Sequence, residues 1–181
     1  MSDPPLAGDH DALYMACPAG PAAEMASLLP AGPVLELCCG AGGITRELAK
    51  TGRRVLAVDK SLARLKSNQA NLSALGLASR VSYLCCDLRR PALGAPRSEA
   101  PFAAALLDPD WSPPGAPPGN WASGLSDMQP PADDLIKLAL SLSPLVVIRL
   151  PRDTSGIADG LAINEMGQGA KRWRWLALRR A

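Results

Sequence analysis

Short apolar segments alternate with helix-like segments along most of this chain, and that alternation restricts the fold more than any other feature of the sequence. The apolar segments are bounded by Gly, Pro or charged residues, as in strands that are covered on both faces, and they span 33–38, 54–59, 80–85, 102–108 and 144–150. The helix-like segments span 21–29, 43–51, 61–76 and 132–142. Such alternation predicts an α/β fold with a doubly wound, mostly parallel sheet.

The last part of the chain follows a different pattern. Two strand-like segments, 161–166 and 171–178, flank a Gly-containing loop, which predicts a C-terminal antiparallel hairpin and a sheet of seven strands in total. The length of 181 residues suits a single domain over 1–181. Two segments fall outside the alternation. We expect a polar N-terminal tail at 1–20 and a long Pro/Gly-rich loop on the substrate side at 109–131.

Composition excludes several classes of protein. A hydrophobic content of 48% and a charged content of 20% indicate a globular chain rather than a disordered one. The net charge of +2 gives no electrostatic argument for nucleic-acid binding by the chain as a whole. No apolar run reaches the roughly 18 residues that span a membrane, and the N-terminus lacks the pattern of a signal peptide. We therefore expect a cytoplasmic protein with no membrane partner, and a monomer is favoured.

The spacing of the cysteines favours free thiols rather than metal ligands. Four of the five are adjacent in pairs, Cys38 with Cys39 and Cys85 with Cys86. Neighbouring residues on a strand point to opposite faces, so such a pair is poorly arranged to clamp one ion. We expect reduced, buried thiols and no bound metal. The one histidine, His10, has no evident partner in the sequence and is given no role.

The segment LELCCGAGG joins the first predicted strand to the helix that follows it. Glycines at this place let the backbone approach a ligand closely. A dinucleotide fingerprint would need a glycine where this chain has Thr45. Glu36, ahead of the glycines, instead resembles the acidic residue in the first motif of class I S-adenosylmethionine-dependent methyltransferases, which have a Rossmann-like fold. The resemblance implies that S-adenosyl-L-methionine is the cofactor and that Glu36, Cys38, Gly40 and Gly42 contact it.

Two further acids lie at the ends of successive predicted strands. Asp59 ends the second strand, where a carboxylate can accept hydrogen bonds from both hydroxyls of a ribose. Asp87 follows the third strand, where it can accept a hydrogen of the adenine amine. Each acid alone could be a helix cap or a solvated loop residue. Together with Glu36 they favour a site for S-adenosyl-L-methionine.

The segment Asp108-Pro109-Asp110-Trp111 follows the fourth predicted strand. Methyltransferases that act on exocyclic amines carry an Asp, Asn or Ser, two prolines and an aromatic residue there. The Trp, the later segment RLPRDT (149–154) and the segment 52–77 are most similar to the trimethylguanosine synthase, or RNA cap guanine-N2 methyltransferase, family. The resemblance covers residues 33–154.

That resemblance implies methyl transfer to guanine N2 of an RNA or a guanosine-like substrate. Asp108 and the carbonyl of Pro109 would accept the hydrogens of the amine, and Trp111 would be a flat platform on which the base stacks. Arg152 would bind a substrate phosphate at the rim of the site. The alternative for Trp111 is a lid folded back on the core, and surface solvation is the alternative for Arg152.

Two departures from the family pattern leave other functions open. Asp110 replaces the second proline, where we expect it to add a charge, loosen the turn and weaken activity. The family's long N-terminal extension is almost absent, with Cys17-Pro18 as its only trace. A tRNA or rRNA position, a free guanosine-like base, a small-molecule amine and a catalytically inactive module that binds the cofactor all remain possible.

The basic C-terminal segment permits two interpretations. The segment 171–175, with the basic residues Lys171, Arg172 and Arg174 and the aromatic residues Trp173 and Trp175, has the composition of a segment that contacts phosphates and stacks on bases. Alternation in a strand gives a simpler account, in which the two tryptophans pack inward and the arginines face outward.

Overall fold

The computed structural model describes residues 3–89, 100–116, 120–157, 160–170 and 172–180. For residues 168–170 it describes the backbone alone. Within these ranges the chain forms one seven-stranded sheet in the order β3-β2-β1-β4-β5-β7-β6. The strands are β1 (Val34–Leu37), β2 (Val55–Asp59), β3 (Val81–Cys85), β4 (Ala104–Leu107), β5 (Val146–Pro151), β6 (Leu161–Ala170) and β7 (Trp173–Arg180). The first five pair in parallel and the last two pair antiparallel. The predicted doubly wound sheet with its C-terminal hairpin is therefore confirmed.

Five helices accompany the sheet in the described part of the chain. They are α1 (His10–Met15), α2 (Ala19–Leu28), α3 (Gly43–Lys50), α4 (Leu62–Ser73) and α5 (Ala132–Leu142). The side chain of Ser61 accepts a hydrogen bond from Arg64 N at the start of α4, as a helix cap does. None of the helices in the described ranges has the length and apolar character that crossing a membrane requires.

The core lies where the central strands are covered on both faces. Every residue of β1, β4 and β5 is buried, which explains why these segments are nearly continuous apolar runs rather than alternating ones. On β7, Trp173 and Trp175 are also buried, with 8% and 1% of their surface exposed. Their rings contact each other edge to face. The inward-packing interpretation of this strand is therefore correct, and these two rings are not available for stacking on bases.

The N-terminal segment is folded, which corrects the expectation of a polar tail at 1–20. Residues 3–17, here called the N-terminal strap, contain helix α1, which begins after Asp9 because that side chain accepts a hydrogen bond of 2.7 Å from Ala12 N. Asn71 on α4 holds the strap by two hydrogen bonds to the backbone of Ala7. The Asp9 carboxylate also pairs with Arg64 at 3.2 Å. These contacts fix the strap against helix α4.

Candidate active site

A cleft of about 560 Å³ opens at the carboxyl ends of the central strands, where the strand order reverses between β1 and β4. Ligands of open α/β sheets bind at this kind of switch point. Residues from the ends of β1, β2, β3 and β4, from the loop after β4 and from the N-terminal strap all line the cleft. Its volume falls within the range of roughly 300–1,000 Å³ typical of small-molecule sites.

The turn after β1 forms one wall of the cleft. Cys38 has φ +65° and lines the cleft. Gly40 has φ +51°, and a Cβ at Gly40 would meet no other atom within 4 Å, so a ligand can approach its backbone. Gly42 differs, because its Cβ would lie 2.6 Å from the Asn68 side chain and the residue is not part of the cleft lining. The predicted ligand contact therefore suits Gly40, while Gly42 allows α3 and α4 to pack closely.

Asp59 orders this wall from the neighbouring strand. One of its carboxylate oxygens accepts a hydrogen bond from Gly40 N and the other accepts one from Ser61 N, both at 2.9 Å. The residue is only 6% exposed and lines the cleft. A carboxylate held by two backbone N–H groups is fixed in place and keeps lone pairs for a ligand. This arrangement agrees with the predicted position of Asp59 at the end of β2.

Asp87 lies beyond β3 and lines the cleft with a side chain that is 36% exposed. Its carboxylate accepts hydrogen bonds from the guanidinium and the backbone N–H of Arg89, the shortest at 2.6 Å. The hydrogen bonds from Arg89 lower the pKa of Asp87 to about 2. Asp87 is therefore an ionised acceptor at the place where sequence reasoning put it, although Arg89 already occupies part of its carboxylate.

Glu36 is a buried acid at the base of the cleft. It is 1% exposed, and neither carboxyl oxygen makes a hydrogen bond of good geometry among the described residues, although Thr45 is close enough to act on the carboxyl group. Burial, with the negative charges of Asp108 and Asp59 acting in the same direction, raises the pKa of Glu36 to about 8 against the opposing effect of Thr45. A buried carboxyl group so weakly satisfied is costly, so a ligand that donates hydrogen bonds or carries a positive charge would be stabilised here.

Asp108 and Arg149 form a buried ion pair on the opposite wall. Arg149 Nε donates a hydrogen bond of 2.8 Å to Asp108 Oδ1, and the two side chains are 4% and 12% exposed. Burial raises the pKa of Asp108 to about 6 even though the charge of Arg149 opposes the shift. Both residues line the cleft, as does Pro109.

Arg149 is the residue of this site that sequence reasoning missed. It belongs to the buried strand β5, and its Nη2 donates a hydrogen bond of 2.7 Å to the carbonyl of Met15 in the N-terminal strap. Its guanidinium carbon also lies 4.7 Å from the centre of the Trp111 ring, a cation–π distance. The one signal in the sequence was a charged residue inside an otherwise apolar strand.

Arg152 lies elsewhere, contrary to the prediction that it faces the cleft. It is outside the cleft lining and forms an ion pair of 3.3 Å with Glu165 on β6. The side chain is 42% exposed. The segment RLPRDT therefore supplies Arg149 to the cleft instead, because β5 continues to Pro151 and Arg152 falls in the turn that follows it.

Trp111 is buried, which corrects the prediction of an exposed platform. It is 4% exposed, and its Nε1 donates a hydrogen bond of 3.0 Å to the carbonyl of Arg149. Its ring contacts Trp121 edge to face at 5.2 Å between ring centres. Trp111 does not line the cleft. The alternative of a lid folded onto the core describes it correctly.

Asp110 stiffens the turn rather than loosening it. Its Oδ1 accepts a hydrogen bond of 2.9 Å from Ser112 N, and its backbone exchanges two hydrogen bonds with Gln129. Gln129 Nε2 also donates to the carbonyl of Ser112. A proline at position 110 would lack the N–H that Gln129 accepts. The replacement of the second proline is thus compensated by local hydrogen bonds.

All five cysteines are free thiols in this structure. Cys17 and Cys38 line the cleft, and burial raises the pKa of Cys17 to about 11 and that of Cys38 well above its usual value. Cys85 is exposed and Cys86 is buried, so the expectation of buried thiols is wrong for Cys85. Among the described residues, no group of three or more His, Cys, Asp or Glu side chains is arranged to hold a metal ion.

Comparison with known proteins gives a family match over most of the chain. Residues 31–161 match the model of the RNA cap guanine-N2 methyltransferase family. A curated relative, the 23S rRNA (uracil(1939)-C(5))-methyltransferase of Pseudomonas aeruginosa, is 37% identical over 76 residues, which are 42% of this chain and 17% of the relative. The matched region therefore spans less than a fifth of that relative's length.

Solved structures show the same fold at low sequence identity. TrmN from Thermus thermophilus matches with a TM-score of 0.61 and 22% identity, over 90% of this chain and 48% of that protein. The T. thermophilus 16S rRNA N2 G1207 methyltransferase, in complex with AdoMet and guanosine, matches with a TM-score of 0.61 and 19% identity, over 97% of this chain and 44% of that protein. At these identities the likeness describes the fold.

Proposed function

The chain belongs to the RNA cap guanine-N2 methyltransferase family, with the class I fold and the S-adenosylmethionine cofactor of its relatives, and we propose that it methylates the exocyclic N2 of guanine in an RNA or a guanosine-like substrate. The observation that carries the proposal is the Asp108 carboxyl group, which lines the cleft at the end of β4 and is held there by Arg149. Pro109 beside it adds a carbonyl on a stiff backbone.

The residues present fit S-adenosylmethionine. Glu36 is a buried carboxyl group with no hydrogen bond of good geometry in the described chain, and it suits the cationic amino group of the cofactor's methionine part. Gly40 leaves space for a ligand against its backbone, and Asp59 is fixed where a ribose diol needs an acceptor. Asp87 is the acceptor for the adenine amine. When bound, the cofactor supplies an electrophilic methyl group.

The chain's own residues prepare the acceptor nitrogen. The lone pair of an exocyclic guanine amine is delocalised into the ring, so the amine is a weak nucleophile. Oδ2 of Asp108 and the carbonyl of Pro109 accept its two hydrogens, which orients the nitrogen and localises its lone pair. Methyl transfer would require the nitrogen to lose one proton, and the carboxylate of Asp108 would take it up. Arg149 keeps the other oxygen of that carboxyl group engaged.

Two observations favour an RNA substrate over a free metabolite. The family match concerns RNA cap guanine-N2 methyltransferases, and the structural relative with N2 activity acts on 16S rRNA. The near-neutral net charge instead favours a small-molecule amine. Methyl transfer to RNA separates these functions, because only the first predicts a methylated nucleoside in RNA.

The experiment incubates the protein with methyl-labelled S-adenosylmethionine and total RNA, followed by digestion to nucleosides and mass spectrometry. We expect label in N2-methylguanosine. Asp108→Asn, which keeps the volume of the side chain and removes its charge, should lower the rate of labelling by about 100-fold or more while still binding the cofactor. Asp134→Asn, on the exposed face of α5, is the matched control and should behave as wild type. Label in a small-molecule fraction alone, or in no fraction, would overturn the RNA proposal.

A further inference from the structure

We propose that Tyr14, with His10 beside it, is the nucleobase platform of this protein, a role for which the sequence suggested Trp111. This inference rests on the proposed function, because it names the surface on which a nucleotide of the RNA substrate stacks. The site lacks the stacking surface that Trp111 was expected to provide, since Trp111 is buried in the core and cannot present its face to a base.

Tyr14 is the aromatic side chain at the mouth of the cleft. Among the described residues that line the cleft, it is the only Phe, Tyr or Trp, and 60% of its surface is exposed. None of the other lining residues among those described carries an aromatic ring. Stacking on an aromatic ring is the sequence-tolerant way in which proteins hold single-stranded bases.

The geometry of α1 adds a second ring. His10 and Tyr14 are four residues apart on the helix and therefore share one face. Their ring centres are 6.4 Å apart and their planes are inclined by only 10°. His10 is 90% exposed and lines a shallower pocket beside the cleft, where the basic residues Lys60 and Arg64 stand with the acids Asp9, Asp11 and Asp110. A base that leaves the cleft along this side meets two nearly parallel rings.

Both ends of α1 are anchored, so the platform is positioned rather than free. Asp9 caps its start and pairs with Arg64, and Arg149 binds the carbonyl of Met15 at its end. Because Arg149 also binds Asp108, one side chain connects the platform helix to the carboxyl group proposed to accept the amine. This connection couples the position of helix α1 to that of the reacting group.

The test uses single-stranded RNA hexamers that contain one 2-aminopurine, a fluorescent base with the same 2-amino group as guanine. Binding to the full chain saturated with S-adenosylhomocysteine is followed by fluorescence quenching. Tyr14→Ala should weaken binding about tenfold. Tyr14→Phe, which keeps the ring, should bind as wild type. Leu13→Ala, on the same helix but outside the cleft lining, should also bind as wild type.

The outcomes separate this inference from the proposed function. If wild type methylates RNA and Tyr14→Ala shows unchanged hexamer affinity, or an unchanged KM where the hexamer does not bind, the platform assignment is wrong and the proposed function stands. If wild type neither binds nor methylates RNA, both are wrong. If Tyr14→Ala loses affinity for the cofactor as well as for the hexamer, the ring contacts the cofactor, and the platform assignment is wrong.

Discussion

Arg149 Nε lies 2.8 Å from Asp108 Oδ1, which joins the fifth strand to the residue that follows the fourth strand at the wall of the cleft. The pair is almost fully removed from solvent, and burial nevertheless raises the pKa of Asp108 to about 6. A carboxyl group with this pKa is mostly ionised at neutral pH and remains able to take up a proton. That balance suits the acceptor of an amine hydrogen near pH 7.

The first prediction concerns Asp108 itself. Asp108→Asn should lower the rate of methyl transfer by about 100-fold or more, because the amide cannot accept a proton from the substrate amine. The dissociation constant of S-adenosylhomocysteine should change little, since the cofactor contacts proposed here lie on the first three strands. Single-turnover kinetics and calorimetry measure the two quantities. An active Asp108→Asn enzyme would contradict the assignment.

The second prediction is the acid limb of the pH profile. With the pKa of Asp108 raised to about 6, kcat should be level above that pH and fall about tenfold per unit below it, because the protonated carboxyl group accepts poorly. Arg149→Met removes the cation that favours ionisation and should move this limb to higher pH. Arg149→Lys should keep it near the wild-type position, and it serves as a folded control if the Met variant is unstable. If kcat falls at the same pH in wild type and in a folded Arg149→Met variant, the ion pair does not set the pKa of Asp108.

The framework of the fold is predictable from the sequence because it is encoded locally. Buried parallel strands are continuous apolar runs, and Ser61 caps α4 because its hydroxyl can reach a free backbone N–H. Once the strands are located in the sequence, the residues at their ends follow, so Glu36 and Asp59 were placed correctly in the cleft.

The incorrect or missing predictions share one physical cause, which is contact between segments that are distant in the sequence. Arg149 and Asp108 are 41 residues apart, and nothing near either residue indicates the pair. Trp111 stands in a polar segment, yet the loop returns to cover it through a hydrogen bond between Ala122 N and the Trp111 carbonyl. Helix α1 has six residues and depends on α4 and Arg149 to hold it in place.

The third prediction concerns Glu36 and stability. In the absence of ligand, burial raises the pKa of this carboxyl group from its ordinary 4.5 to about 8, so the folded state binds the proton more tightly than the unfolded state. The contribution of Glu36 to the free energy of unfolding should therefore fall as pH rises from about 4.5 to about 8. Glu36→Gln should flatten the dependence of Tm on pH across this window and raise Tm at pH 8. Parallel curves for the two proteins would contradict the burial argument.

The fourth prediction tests the cofactor wall. Asp59→Ala removes the acceptor of Gly40 N and Ser61 N and the proposed acceptor of the ribose diol. Hydrogen bonds to a charged group contribute roughly 1.5–3 kcal/mol, so the affinity for S-adenosylhomocysteine should fall at least tenfold. Calorimetry gives the affinity, and thermal shift with NADH, which should leave Tm unchanged, controls for specificity. An unchanged affinity in Asp59→Ala would place the ribose elsewhere.

The last prediction separates the core role of Trp111 from a substrate role. Because the ring is 4% exposed and its N–H satisfies the carbonyl of Arg149, Trp111→Ala should lower the free energy of unfolding by about 3–5 kcal/mol. Trp111→Phe keeps an aromatic ring but leaves that carbonyl without its partner, which should cost about 1–3 kcal/mol. Denaturant unfolding measures both costs. Below the melting temperature, the KM of Trp111→Phe for RNA should stay close to wild type, as should that of Trp121→Phe, the other member of the edge-to-face pair. A large rise in KM with little loss of stability would instead mean that Trp111 leaves the core to meet the substrate.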